Sequence, residues 1–168
     1  MIDFKPYKPE EYKELVEKNF SEIWFQFLYF EVMRSRDCVK FLNNNPNAYL
    51  ILQVISWHHG LLILSENKNQ DRKNFVKKWV SSTKVKTSSN KKLTYSLVSE
   101  LTGLSVETIR RHVKKLIIKG WVIYTKKLGI IYQPSNENLK KMTEYLNPKE
   151  IDRFVQLLSN IDKIKFRR

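Results

Sequence analysis

The sequence "SVETIRRHVKK", residues 105–115, brings together hydroxyl groups, one carboxylate and four cationic side chains. On an exposed helix face such groups can hydrogen-bond to the phosphates and base edges of a nucleic acid. At about 100° per residue, one side of a helix would carry the polar residues Glu107, Thr108, Arg111, Lys114 and Lys115. The other side would carry the apolar residues Val106, Ile109, Val113, Leu116 and Ile117. In a plainer interpretation, Glu107 and Arg111 form an exposed ion pair worth about 0.3–0.5 kcal/mol.

The surrounding segment has the start and stop signals of two short helices joined by a tight turn. Thr94 and Ser105 are typical N-cap residues, and Gly103 between them favours the turn. Gly120 stands where the second helix would end in a C-terminal cap. Two β-rich runs follow in "WVIYTKKLGIIYQ", with Gly129 in the turn between them, which predicts a hairpin.

These residues resemble the winged helix-turn-helix of bacterial transcriptional regulators, since "GLSVETIRRHVKKLIIKGW" is close to the recognition-helix pattern of the catabolite-activator, DeoR-like and MarR-like families. By position, the resemblance implies that Glu107 and Arg111 read base edges. Val106 stands where those families often have Arg, which implies a different base preference there. The resemblance also implies phosphate contacts for Ser105 and Thr108. The predicted phosphate-contacting set is Tyr95, Ser96, Ser105, Thr108, Arg110, Lys114, Lys115, Lys126 and Lys127.

The overall layout is most similar to that of the MarR family. We predict a mainly α fold, a winged helix-turn-helix with flanking N- and C-terminal helices and a short β-hairpin wing. Residues 1–67 would hold dimerisation helices and the first helix of the winged module, and residues 68–92 a basic helix and loop with no counterpart in that family. Residues 93–134 would form the winged module, and residues 135–168 the C-terminal helices.

The flanking segments carry their own helix signals. One or two helices are expected in residues 9–44, and another from Asn45 as N-cap with Pro46 in the first turn. "DRKNFVKKWVSS" predicts an amphipathic helix, and "SSTKVKTSSNKK" a basic loop. Near the C-terminus, Asn147, Pro148 and Glu150 suggest an N-cap, a first-turn proline and a capping-box acid.

An unusually apolar run, Ile23–Phe30, has a single polar residue in eight. A helix that is apolar all round must be covered on more than one side, by the core or by another subunit. We therefore predict a homodimer built from the terminal helices, to which the C-terminal helix could also contribute. The aromatic residues of this run could instead line an effector pocket, but such stripes are more often core or interface.

Charge is concentrated in the middle of the 168-residue chain. Residues 68–119 carry 14 basic and 3 acidic side chains, against 7 and 9 in residues 1–67 and 10 and 5 in residues 120–168. The net charge is +14. A focused basic region attracts a polyanion, because each cation that meets a phosphate releases a counterion. The alternative is a composition generally rich in Lys and Asn.

Other chemistries have little support in the sequence. It contains no phosphate loop, zinc-ligand spacing or nucleophile elbow, so we expect neither an enzyme nor a cofactor. His58 and His59 lack further ligands at metal-binding spacing, and Cys38, although near Arg34 and Arg36, is more simply an inert thiol. With no signal peptide and no apolar run of membrane-spanning length, we expect a cytoplasmic protein that does not cross a membrane.

The sequence thus predicts a double-stranded DNA-binding transcriptional regulator that acts as a homodimer, with any small-molecule effector left open. The alternatives are a replication-initiation protein of the plasmid or phage type with the same module, and a winged helix used for protein contacts. A nucleic-acid enzyme would be distinguished by metal-dependent cleavage or ligation of DNA.

Overall fold

A computed structural model describes residues 8–66, 71–81 and 92–165. The helices are α1 (Pro9–Lys18), α2 (Phe20–Phe41), α3 (Pro46–Glu66), α4 (Arg72–Ser81), α5 (Tyr95–Thr102), α6 (Val106–Ile118), α7 (Asn136–Lys141) and α8 (Asn147–Lys165). Strands β1 (Val122–Thr125) and β2 (Gly129–Tyr132) pair antiparallel, with Val122 opposite Tyr132. The predicted class, mainly helical with one small two-stranded sheet, is confirmed. The expected basic loop lies almost wholly outside the described residues.

Local capping fixes where several helices begin. The Asn45 side-chain oxygen accepts a hydrogen bond from the backbone of Ala48 at 2.9 Å, so α3 starts at the predicted residue. Thr94 caps α5 in the same way through the backbone N–H of Leu97. In each case a side-chain oxygen satisfies a backbone donor that the first helical turn leaves unpaired.

The predicted cap at Asn147 is wrong. The chain is already helical from Asn136, where Ser135 acts as the N-cap, and it continues through a π-helical turn, Met142–Leu146, into α8. Pro148 lacks an N–H and would crowd the preceding turn of a regular α-helix, and a wider π turn directly before it accommodates that defect. Glu150 does not act as a capping-box acid, because its carboxylate pairs with Arg34.

The chain divides into two compact units. The central unit consists of residues 39–142, and the terminal unit of residues 1–38 together with 143–168. Helix α3, expected as the first helix of the winged module, therefore belongs with α5, α6 and the hairpin.

The core of the central unit forms around α3, which packs against α5, α6 and β2. Ile51 and Ile55 of α3 and Val98 of α5 are almost completely buried there. Helix α4 lies against the far end of α3 through Trp79, whose ring is 5.4 Å from that of His59 and 5.5 Å from that of Tyr132. Burial of these apolar groups fixes the scaffold that carries α6.

In the terminal unit, side chains of α2 and α8 join the two helices. Arg34 donates to Glu150 at 2.9 Å, and Asn160 donates to Gln26 at 2.9 Å. Between these polar contacts the rings of Phe30 and Phe154 lie 5.9 Å apart. The C-terminal helix thus packs against the aromatic helix α2 within one chain.

Among the described residues, one helix has the length and composition of a membrane span. The window Pro46–Leu64 of α3 has a mean hydropathy of 1.2, and 39% of it is buried within the structure. The core helix of a soluble protein has the same properties, so this is weak support for a span.

Candidate nucleic-acid interface

The turn between α5 and α6 is held by side chains of α5. Gly103 has φ +70°, the left-handed conformation that favours glycine, and its N–H donates to the carbonyl of Ser99 at 2.9 Å. The Ser99 hydroxyl donates to the carbonyl of Leu104 at 2.6 Å. Thr102 accepts from the Leu104 N–H at 3.3 Å. These bonds set the direction in which α6 leaves α5.

Two hydroxyl groups organise the first turn of α6. Ser105 is the N-cap and accepts from the backbone N–H of Thr108 at 3.2 Å. Its hydroxyl donates in turn to the hydroxyl oxygen of Thr108 at 3.0 Å. A hydroxyl that accepts one bond can still donate its own hydrogen, so Thr108 remains chemically able to contact a phosphate.

Helix α6 is rotated relative to the sequence prediction. Its buried residues are Ile109, His112, Val113 and Leu116. Val106 is only half-buried and Ile117 is exposed, so the expected burial of these two residues is wrong. On a wheel of about 100° per residue, the buried arc is shifted by about 40° toward His112. Packing against α3 and α5, rather than hydrophobicity alone, selects this arc.

The rotation determines which side chains face outward. Glu107, Arg111 and Lys114 lie nearly opposite the buried arc and are exposed. Arg110, a predicted phosphate contact, is also exposed, with 56% of its side chain accessible. All the predicted base-reading and phosphate-contacting residues of α6 are exposed except Val106 and Thr108, which are half-buried.

The ion pair on this face is not the one that the sequence suggested. Glu107 lies 3.9 Å from Arg110, with side chains 84% and 56% exposed, so the pair contributes little. In the described part of the chain, Arg111 and Lys114 have no carboxylate within ion-pair distance. Their charges are therefore available to an external anion.

Helix α7 holds the C-terminal end of α6. The Asn138 amide donates to the carbonyls of Lys119 and Gly120 at 2.7 and 2.9 Å. Gly120 has φ +68°, and a Cβ added there would lie 3.2 Å from the Cβ of Ser135. These contacts satisfy carbonyls that the end of a helix leaves free, and they fix the orientation of α6 from its far end.

Gly129 connects the hairpin to Leu93, two residues before the start of α5. Leu93 forms a parallel bridge with Gly129, and its carbonyl accepts from the Ile130 N–H at 2.9 Å. In the turn, the exposed Lys126 and Lys127 project from the sheet, and the Lys92 ammonium donates to the carbonyl of Lys126. Gly129 is the first residue of β2 rather than part of the turn itself.

Three elements meet in a row of side chains beside α6. The rings of Tyr95 in α5 and Tyr124 in β1 lie 4.9 Å apart, and the Arg110 guanidinium lies 5.8 Å from the Tyr95 ring centre. Burial raises the pKa of Tyr95, and Tyr124 adds to that effect. Of the predicted phosphate contacts, Tyr95 and Arg110 are thus brought together, and Ser96 is exposed in the same first turn of α5. Tyr124 was missed by the sequence analysis, since only the fold brings β1 beside Tyr95 of α5.

His112 was also missed as a buried group. It is 6% exposed, and in the described structure its Nδ1 has no hydrogen-bond partner. Burial lowers its pKa, and the positive charges of Arg111 and Lys115 lower it further. The ring is therefore neutral at pH 7 beneath a strongly cationic surface.

The other candidate groups support different conclusions. Burial raises the pKa of the Cys38 thiol to about 12, and Glu150, whose carboxylate accepts from Sγ at 3.7 Å, raises it as well. This argues against a reactive thiolate.

The cavity that Tyr29 and Phe30 help to line has a volume of about 10 Å³ and holds one water at most. In the described ranges, no three His, Cys, Asp or Glu side chains are grouped as metal ligands.

Comparisons with protein-family models, with curated proteins and with solved structures found no match to this chain.

Proposed function

We propose that the protein is a sequence-specific double-stranded DNA-binding transcriptional regulator in which α6 enters the major groove. The observation that carries the proposal is the division of α6 into a buried side and an outward cationic side. Ile109, Val113 and Leu116 are at most 2% exposed, whereas Arg111 and Lys114 are exposed and lack carboxylate partners among the described residues. A helix about 10–12 Å wide fits the major groove, which is about 12 Å wide.

Helix α1 shows how the cationic side of α6 differs from an ordinary lysine-rich surface. In α1, Lys13 and Lys18 each pair with a glutamate four residues away, at 3.8 and 2.6 Å. Such self-neutralised faces are typical of solvated helices. Helix α6 has four cations on its exposed sides and one acidic residue, Glu107. Its field would therefore attract a polyanion more strongly than a simple solvated face would.

The hairpin and α5 complete the proposed contact surface. Lys126 and Lys127 in the hairpin turn would lie over the phosphate backbone, as a wing does, and Ser96 in the first turn of α5 would also contact phosphate. In this arrangement the hairpin and α5 position the protein, and α6 supplies the base contacts from Glu107 and Arg111.

We further propose that the protein acts as a homodimer through the terminal unit. Helix α2 leaves an apolar stripe between 38% and 68% exposed, formed by Phe25, Leu28, Tyr29 and Val32. Helix α8 leaves a second stripe between 45% and 56% exposed, formed by Ile151, Phe154, Val155 and Leu158. Both follow the i, i+3, i+4, i+7 spacing of a helix face that packs on another helix. A second copy would cover these stripes. A dimer that presents two α6 helices to duplex DNA would require half-sites about 34–36 Å apart.

The first experiment separates base reading from phosphate contact. DNA bound by the full chain is selected from genomic fragments and sequenced, and fluorescence anisotropy then compares the selected duplex with a scrambled one. Arg111→Ala should weaken the selected duplex by about 1–3 kcal/mol and reduce discrimination at one base pair, because a bidentate contact to a guanine edge is lost. Lys126→Ala with Lys127→Ala should weaken both duplexes alike and lower the salt slope by about 0.9 per lost phosphate contact.

Lys13→Ala on α1 is the matched control and should leave both affinities unchanged. If Arg111→Ala weakens the two duplexes equally, α6 does not read the groove. A two-fold symmetric selected site would support the dimeric regulator, whereas a site of direct repeats would favour the replication-initiation alternative.

The second experiment tests the dimer by light scattering at micromolar concentration. Phe25→Glu with Val32→Glu puts two charges into the most exposed positions of the α2 stripe and should convert a dimer into a monomer. Lys13→Glu, a charge change at a side chain of α1 that is 76% exposed and lies outside the stripe, should leave the mass unchanged. A wild-type protein that is monomeric at this concentration would contradict the proposed assembly.

A further inference from the structure

Tyr124 is not among the residues proposed to read bases or to contact phosphate, although its ring contacts one of them, Tyr95. Tyr124 lies in β1 with its side chain partly exposed, and its ring is 4.9 Å from that of Tyr95 at an interplanar angle of 36°. Tyr95 is the first residue of α5, and its ring in turn lies 5.8 Å from the guanidinium carbon of Arg110 in α6. One side chain from each of three elements thus forms a continuous row.

Arg110 needs such support if it is to act as a fixed cation. Its exposed side chain has several rotatable bonds, and its sole acidic neighbour in the described structure is Glu107 at 3.9 Å, a weak and solvated pair. A ring beside the guanidinium restricts the side chain and leaves its N–H groups free to point at an anion. The Tyr95 ring supplies this surface, and contact with Tyr124 limits the positions that Tyr95 can take.

We infer that Tyr124 is a positioning residue for phosphate binding by Arg110. Tyr124 holds Tyr95 against the guanidinium of Arg110, and Arg110 contacts a phosphate of the strand that passes between the hairpin and α6. This inference rests on the proposed DNA binding. It adds Tyr124 to the contact surface and explains how β1 influences a side chain of α6.

The test is a double-mutant cycle measured by fluorescence anisotropy on the selected and scrambled duplexes over a salt series. Arg110→Ala should lower the slope of log affinity against log salt by about 0.9, the loss of one phosphate contact. Tyr124→Ala should weaken both duplexes by about 3- to 10-fold and lower the slope by part of that amount. In the Arg110→Ala background, Tyr124→Ala should have no further effect, because the two residues act through one contact.

Two other tyrosine variants define the role of the ring. Tyr124→Phe keeps the ring and should bind like wild type. Tyr145→Ala is the matched control, since Tyr145 is exposed in the terminal unit with Lys149 3.7 Å from its ring centre, and it should not change the salt slope. If Tyr124→Ala destabilises the fold and lowers the urea midpoint, Tyr124→Leu replaces it in the cycle, since leucine removes the aromatic ring but keeps an apolar side chain of similar bulk on β1.

The outcomes distinguish the two proposals. A wild-type protein that binds no duplex overturns the proposed function and this inference with it. A wild-type protein that binds DNA, while the effects of Tyr124→Ala and Arg110→Ala add, overturns the inference alone. So does a Tyr124→Phe variant as weak as Tyr124→Ala, because the hydroxyl would then contact DNA directly.

Discussion

Gly129 provides a quantitative test of how the hairpin is attached to the rest of the central unit. Its φ is +78°, and a Cβ added there would lie 2.3 Å from the carbonyl oxygen of Leu93 and 2.9 Å from Cγ of Lys92. Gly103 has almost the same backbone conformation, φ +70°, but a Cβ there would have no heavy atom within 4 Å. An alanine at either position would therefore be strained by the left-handed backbone, and only an alanine at position 129 would also clash with neighbouring atoms.

The expected magnitudes follow from that difference. Alanine in the left-handed conformation costs about 1–2 kcal/mol, which is the whole effect expected for Gly103→Ala. Gly129→Ala must also move the chain away from Leu93, whose carbonyl accepts from Ile130 at 2.9 Å and which is 1% exposed. Losing a buried hydrogen bond adds about 1–3 kcal/mol. We therefore expect Gly129→Ala to lower the free energy of unfolding by about 2–5 kcal/mol.

Urea unfolding followed by tryptophan fluorescence measures both variants, because Trp121 lies in the core of the central unit. The slope against urea should stay the same, so that the change reports stability. Hydrogen exchange of the Ile130 amide gives a local reading, and it should accelerate in Gly129→Ala much more than in Gly103→Ala. Equal destabilisation by the two substitutions would refute the argument, because it would show that the contact with Leu93 contributes nothing.

Two further predictions concern titratable groups. Burial lowers the pKa of His59 and of His112 below 6.5, so the unfolded chain binds protons at a higher pH than the folded chain does. The free energy of unfolding should be nearly constant between about pH 7 and 8 and should fall as the pH drops below 6.5, by at most about 1.4 kcal/mol per pH unit for each histidine. Urea titrations between pH 7.5 and 5.5 measure this, and His112→Gln should reduce the dependence; a stability that rises on acidification would contradict it. Cys38, with its raised pKa, should react with a thiol reagent at pH 8 far more slowly in the folded protein than in urea, whereas rapid labelling of the folded chain would show an accessible thiolate.

The helix boundaries near α6 were predictable from the sequence because the interactions that set them are local. Thr94 and Ser105 bond to backbone groups three residues away, and Gly103 supplies a left-handed turn. Such contacts depend on neighbouring residues and hardly on the rest of the fold. The same holds for Asn45 at the start of α3.

Local signals fail where a distant element competes for the same group. Asn147 has the form of a cap, yet the chain is already helical from Asn136, and Glu150 pairs with Arg34, more than 100 residues earlier. The ion pair on α6 differed from the prediction for a local reason, because Glu107 has two arginines within helical reach. The one at the shorter spacing, Arg110, is the partner in the structure.

The sequence by itself determined the starts of α3, α5 and α6, the turn at Gly103 and the cationic character of α6, since periodicity and capping act within a few residues. Tertiary structure alone decided how α6 is rotated, that His112 is buried and that Tyr124, Tyr95 and Arg110 form a row. The reason is that a helix wheel gives the width of an apolar stripe but not its exact azimuth. That angle is set by the shapes of α3 and α5 against which the helix packs, and those surfaces come together only in the folded chain.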